Sequence, residues 1–107
     1  MAASASAPSP RVIAARIDAP ASVAPFALFQ VGVQVQGPPS HPIEVEFETD
    51  ADGVRQQYIR RTATNPGGEV VVYFDINAGR TGTVLLVAHV RFDTGQQVTA
   101  KRDVAVF

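Results

Sequence analysis

From Arg11 onward, apolar residues recur at every second position in short runs that Gly, Pro, Asn and Asp separate. This two-residue period is typical of a β-strand, in which successive side chains point to opposite faces. No window of the sequence shows the 3.6-residue period of a long amphipathic helix. The pattern therefore predicts an all-β domain.

The pattern predicts seven short strands. The first runs from Arg11 to about Ile17 and is interrupted by Pro20 and Pro25, which strands tolerate only at an edge or a crossover. The other strands are predicted at residues 28–36, 42–49, 55–62, 69–75 and 83–92, and over a closing segment that carries Val98 and Val104.

Two of these strands alternate clearly between an apolar and a polar face. The strand at 28–36 places Phe29, Val31, Val33 and Val35 on the inward face and Gln30, Gly32, Gln34 and Gln36 on the outward face. The strand at 42–49 sets Ile43, Val45 and Phe47 against Glu44, Glu46 and Glu48. The strand at 55–62 alternates poorly, which predicts an edge strand or one that changes sheets, whereas the strand at 83–92 is apolar on both faces in its first half and is predicted to be central.

Two loops carry strong turn signals. Asn65-Pro66-Gly67-Gly68 predicts a type II turn, with the positive φ at Gly67. Asp93-Thr94-Gly95 predicts a three-residue hairpin loop with Gly95 in the left-handed region.

The second loop also predicts a strand register. Counting outward from it pairs the inward residues of the last two strands with one another: Val90 with Val98, Ala88 with Ala100, and Val84 with Val104. The exception is Leu86 opposite Arg102, which implies a bulge near Ala100 or an arginine that reaches the edge of the sandwich. A register can also be predicted for the strands at 42–49 and 55–62. If Thr49 pairs with Arg55 across the loop between them, Glu44 faces Arg60 and Ile59 joins the core beside Val45.

Seven short strands with turns between them and no helix indicate an antiparallel two-sheet sandwich, most simply an immunoglobulin-like Greek key, with a small barrel as the alternative. In such a sandwich we expect the segment from Gly37 to Pro42, the Asn65 turn and the Asp93 turn to lie at one end.

The composition fits one domain that folds without disulfide bonds. The chain has 107 residues, of which 46% are hydrophobic and 18% are charged. The first ten residues, Met1 to Pro10, contain only Met, Ala, Ser and Pro and read as a tail, a linker or an arm that orders on assembly, so the domain is predicted over residues 11–107. The absence of Cys excludes disulfides and thiolate metal sites. The net charge of -1 argues against nucleic-acid binding, and the apolar runs are too short for membrane insertion.

From Ile43 to Phe107 the chain resembles the bacterial immunoglobulin-like domains of adhesins, invasin-type proteins and multidomain enzymes. The resemblance rests on the stretches 49–53, 64–72, 82–88 and 104–106. It implies a modular β-sandwich of the cell surface or the extracellular space that takes part in cell adhesion, and it implies no particular ligand.

The residues that carry chemistry in other proteins are sparse here. Asp50 and Asp52 are weak candidates for a cation site, because Arg55 and two glutamines follow instead of further acidic residues. His41 and His89 are the two imidazoles and are not joined by any ligand spacing. The sequence has no nucleophile motif, phosphate loop or dinucleotide fingerprint. It predicts a protein that is not an enzyme and that uses no cofactor.

Two groups of polar side chains are candidates for partner contacts. The glutamines Gln30, Gln34 and Gln36 offer uncharged amides, which are easier to bury than carboxylates. Tyr58, Arg60 and Arg61 form a second group on a predicted edge. We expect a non-catalytic structural or binding module that contacts a protein partner or assembles with itself. The alternatives are a carbohydrate-binding or spacer module of a secreted hydrolase, for which Tyr58, Phe26 and Tyr73 are the available aromatic side chains, and a phage virion domain.

Overall fold

The computed structural model describes residues 13–51, 53–80 and 82–107. The predicted tail at Met1 to Pro10 and the predicted start at Arg11 lie outside these residues. Within them the chain forms eight strands: β1 (Ala14–Asp18), β2 (Ser22–Val23), β3 (Leu28–Gln36), β4 (Pro42–Ala51), β5 (Val54–Ala63), β6 (Glu69–Asn77), β7 (Gly82–Phe92) and β8 (Gln97–Val106). No described residue is helical, and a search of these residues for a membrane-crossing helix finds none.

The strands form two sheets, as the alternation predicts. One sheet has three strands in the order β1-β3-β6, and the other has five in the order β2-β8-β7-β4-β5. All pairs are antiparallel except β2 with β8. β7 lies between β8 and β4, which confirms it as a central strand, and β5 lies at an edge.

The predicted count of seven strands is wrong because the first segment forms two strands in different sheets. β1 pairs with β3, and Ala15 lies opposite Val35. After Pro20 the chain crosses to the other sheet, where Ser22 lies opposite Ala105 of β8. The proline therefore marks a crossover, as expected. A strand of two residues is too short to produce a periodic signal.

The core lies between the sheets and is built from the inward positions of every long strand except β5. Val31, Val33, Val45 and Phe47 have no exposed surface. This confirms the inward faces that were predicted for residues 28–36 and 42–49. Burial of aliphatic and aromatic side chains of this kind is the main favourable contribution to folding.

The β7–β8 ladder has the predicted register. It runs without interruption from Gly82 opposite Val106 to Arg91 opposite Gln97. Leu86 does lie opposite Arg102, and no bulge interrupts the strands at Ala100. The absence of a bulge rules out the first of the two alternatives, and Arg102 is half-buried.

The predicted β4–β5 register is wrong by one residue. Asp50, rather than Thr49, lies opposite Arg55, because the loop between the strands has only two residues and its Gly53 has a φ of 75°. A slip of one residue moves every side chain to the other face. Ile59 therefore lies opposite Glu46 on the outer face and is 51% exposed, while Arg60 lies opposite Val45 on the inner face.

The turn after β5 also differs from its predicted type. The positive φ belongs to Gly68, at 82°, and not to Gly67. The Gly68 N–H donates to the carbonyl of Asn65 at 2.8 Å, and the Asn65 side chain accepts from the N–H groups of Gly67 and Glu69. This is a type I turn followed by a left-handed residue, which is also the arrangement at Gly95.

Three loops meet at one end of the sandwich, as predicted. The N–H of Gly37 donates to the carbonyl of Gly68 at 2.9 Å, and the N–H of Asp93 donates to the carbonyl of Pro42 at 3.1 Å. These bonds join the β3–β4, β5–β6 and β7–β8 connections.

Candidate protein-contact surfaces

The first surface is the outer face of the three-stranded sheet, which we call the glutamine face. It contains Gln30, Gln34 and Gln36 of β3, together with neighbours from β1 and β6. Two of the amides are engaged: Arg16 Nη2 donates to Gln34 Oε1 at 2.6 Å, and Gln36 Nε2 donates to Glu69 Oε1 at 3.5 Å. The three predicted glutamines therefore share one sheet face, and charged side chains contact two of them.

Tyr73 supplies the aromatic part of the glutamine face. It lies opposite Gly32, and its Cε1 atom is 3.4 Å from the point that a Cβ of Gly32 would occupy. The ring thus covers the glycine backbone, although the residue remains 57% exposed. Val71 is adjacent on the same strand face and is also exposed. Tyr73 is more accessible to a ligand than Tyr58, which is half-buried.

The second surface is β5, on which the structure separates the three predicted candidates. Tyr58 and Arg60 face inward, and Arg61 faces outward. Tyr58 packs against Phe47 and Phe74, with ring centroids 6.3 Å and 6.0 Å away. Arg60 Cζ lies 5.5 Å from the centre of the Phe74 ring. These two inward side chains therefore cover the core where the sandwich opens between β5 and β6.

The outward face of β5 pairs with the acidic side chains of β4. Arg61 Nε lies 3.1 Å from Glu44 Oε2, and Arg55 Nε lies 3.5 Å from Asp50 Oδ2. Gln57 Nε2 donates to Glu46 Oε1 at 2.6 Å. The acidic row of β4 thus has cross-strand partners, as the sequence indicates, although the pairing is shifted by one residue. Such exposed pairs contribute about 0–1 kcal/mol each.

Among the described residues, no strand pairs with the side of β5 that faces away from β4, and this free edge is long and regular. Its ten residues pair without a break with β4, and every one of them except Tyr58 is exposed. In an antiparallel ladder, alternate residues direct both backbone polar groups away from the paired strand. β5 contains no Pro or Gly that would disrupt this row. The outward backbone groups of β5 therefore form an uninterrupted row.

The described residues do not fit a metal site. They contain no group of three or more His, Cys, Asp or Glu side chains that could hold an ion. Asp50 contacts Arg55, and Asp52 lies outside the described residues. His41 Nδ1 lies 2.8 Å from the carbonyl of Pro39, whereas His89 Nδ1 lies 3.1 Å from Thr99 Oγ1 on the outer face of the five-stranded sheet.

Comparison with known proteins gives a fold and no family. No protein-family model matches the sequence, and no curated protein does so either. Among solved structures, the chain is similar to the CARDB domain of a Pyrococcus furiosus protein, solved in complex with di-metal ions. The TM-score is 0.70 at 20% identity, over 90% of this chain and 88% of that chain.

A second similarity is to an enzyme. The superoxide reductase (neelaredoxin) of Ignicoccus hospitalis matches with a TM-score of 0.58 at 24% identity, over 85% of this chain and 78% of that chain. One β-sandwich fold thus carries both a CARDB domain and a reductase. Because a fold alone does not choose a function, the function has to be argued from the surfaces of this chain.

Proposed function

We propose that this chain is a non-catalytic immunoglobulin-like module that binds a protein partner through the free edge of β5. The strand order β1-β3-β6 and β2-β8-β7-β4-β5 and the similarity to a CARDB domain support an immunoglobulin-like sandwich. The described residues contain no group of three or more His, Cys, Asp or Glu side chains that could hold a metal ion.

One observation carries the proposal, namely the exposed ten-residue ladder edge of β5. Proteins commonly shorten, bend or cover their edge strands to prevent unwanted pairing. Two of the other three edge strands are short, since β1 has five residues and β2 has two. An extended segment that adds to a sheet edge gains main-chain hydrogen bonds, and its alternate side chains provide specificity.

The hairpin geometry identifies the outward-facing backbone groups of β5. Ala51 and Val54 lie opposite each other across the two-residue loop, so the N–H of Val54 points toward β4. Alternation then directs the N–H groups of Arg55, Gln57 and Ile59 to the free side. A proline at Ile59 removes one of these donors, and an edge strand tolerates proline at such a position.

The test is a selection of random decapeptides on the whole chain, followed by binding measurements on variants. We expect selected peptides to bind the natural chain and Ile59→Ala alike, and to bind Ile59→Pro at least about tenfold more weakly, because an edge hydrogen bond is lost and the neighbouring ones are disturbed. Gln57→Pro serves as a second variant, and circular dichroism of each protein checks the fold. Peptides that bind the proline variants as tightly as the natural chain would refute the proposal.

A further inference from the structure

The free edge of β5 is basic. β5 carries Arg55, Arg60 and Arg61 and no acidic residue. The side chains of Arg55 and Arg61 are 85% and 79% exposed in spite of their contacts with β4. A guanidinium group has five N–H donors, so both arginines retain donors for a further partner.

The acidic row of β4 does not cancel this positive edge for an incoming strand. Neighbouring strands lie about 4.8 Å apart, so an added strand would lie about 4.8 Å from β5 and about 9.6 Å from β4. The interaction between two charges falls with distance, and salt at 0.15 M screens exposed charges beyond about 8 Å. The arginines of β5 therefore determine which charges are favourable on the added strand.

On the side of β5 that pairs with β4, its arginines already contact carboxylates of the neighbouring strand. There, β5 lies against a strand with acidic side chains at every second position, and Glu44 and Asp50 contact Arg61 and Arg55. The free side presents the same arginines to the next strand position. An extended segment with the acidic and apolar alternation of β4 would meet them in the same way.

A second copy of this chain is a poor occupant of the edge. Two β5 strands side by side would bring six arginines together with no carboxylate from either strand. Like charges that face each other across strands are destabilising. The positive charges thus disfavour self-pairing and favour a partner of opposite charge.

We propose that β5 accepts an acidic extended segment of another protein as an added strand, with its carboxylates beside Arg55 and Arg61 on the outer face. This inference rests on the proposed function, since it names the chemistry of the partner that binds the same edge. Electrostatic complementarity then provides the specificity, and the backbone ladder provides the attachment.

The test uses three synthetic decapeptides of matched length. The first has the sequence of residues 42–51, PIEVEFETDA, which is acidic at four positions. The second has Gln and the third has Lys at those four positions. We expect the acidic peptide to bind most tightly and the Lys peptide most weakly. Raising NaCl from about 0.05 M to about 0.5 M should reduce the difference, because salt screens exposed charges.

Two further measurements locate the bound peptide. Hydrogen exchange should show new protection at the amides of Arg55, Gln57 and Ile59 when the acidic peptide is added. Joint replacement of Arg55 and Arg61 by Gln should weaken binding of the acidic peptide by about tenfold or more, whereas Arg16→Gln on the other sheet should change it by less than about twofold.

Three outcomes would overturn the inference. If the three peptides bound equally well and Ile59→Pro abolished the binding of all three, the preference for an acidic partner would be refuted. The proposed function of the β5 edge would still stand. If the acidic peptide did not protect the β5 amides from hydrogen exchange, the inference would be wrong. The decapeptide selection would still test separately whether the edge of β5 binds a protein partner. A concentration-dependent dimer in sedimentation, abolished by Ile59→Pro, would identify a second copy as the occupant.

Discussion

Thr64 connects two loops at the end of the sandwich where β3 and β5 terminate. It is 4% exposed, although it precedes a turn. Its Oγ1 donates to the carbonyl of Pro38 at 2.6 Å and accepts from the N–H of His41 at 2.9 Å. A hydroxyl can make both bonds at once, which an apolar side chain of the same size cannot do.

Replacement of this hydroxyl should therefore be costly. We expect Thr64→Val to lower the free energy of unfolding by about 1–3 kcal/mol, because a partly buried N–H and a carbonyl lose their partner. Thr62→Val is the matched control, since Thr62 is exposed, and it should change stability by less than about 0.5 kcal/mol. Urea unfolding of both variants makes the comparison, and equal stabilities would contradict the role given to Thr64.

β6 is an edge strand whose inward side chains are nevertheless buried. Phe74 is 2% exposed, and its ring stacks on Phe47 with centroids 4.5 Å apart. Tyr58 and Arg60 cover the ring from β5. β5 buries little of its own surface, yet it closes this side of the core. β5 and β6 thus belong to different sheets, and their inward side chains pack against each other along one side of the sandwich.

This packing makes Phe74 equivalent to a central core residue. We expect Phe74→Ala to lower the free energy of unfolding by about 3–5 kcal/mol, the cost typical of a deleted buried aromatic ring. Val71→Ala on the opposite face of β6 should cost less than about 1 kcal/mol, because Val71 is 41% exposed. Thermal or denaturant unfolding checks both variants. A small loss for Phe74→Ala would mean that the β5 side chains do not close the core.

The segment from β1 to β2 ties the two sheets into one molecule. β1 pairs with β3 in the three-stranded sheet, and β2 pairs with β8 in the five-stranded sheet. The buried side chains of both sheets form a single cluster. The sheets should therefore unfold together, while β5, which contributes only a partly buried Tyr58, should open separately.

Native-state hydrogen exchange tests this distribution of stability. Amides of β3 and β7, and the amides of β4 that are bonded to β7, should exchange only through global unfolding. Amides of β5 that are bonded to β4 should exchange through a local opening of lower free energy. If the amides of the three-stranded sheet exchanged at a lower free energy than those of β4 and β7, the single-core description would be wrong.

Much of the fold could be predicted because the two-residue period is local. The inward faces of β3 and β4, the central position of β7 and the β7–β8 register all depend on alternation and on the Gly95 turn. The candidate surfaces were predicted in part. The glutamines share one face because they alternate along one strand. The poor alternation of β5 predicted an edge strand or one that changes sheets, and the structure places it at an edge.

Other features could not be predicted, because they depend on distant residues. Gly37 appears in the sequence only as a strand terminator, yet a Cβ there would lie 2.4 Å from Cζ of Phe92. Thr64 gives no signal because its partners lie 23 and 26 residues away. Ile59 was expected in the core because its local pattern permits either face.

The order of apolar and polar residues is sufficient to establish the strands, the buried face of most of them and the all-β class, since these follow from the geometry of an extended backbone. The contacts between strands decided the rest. They divided the first segment between two sheets, set the β4–β5 register and placed the arginine-bearing strand β5 at the end of its sheet. Strand pairing and packing decide these features because they bring together residues that are far apart along the chain.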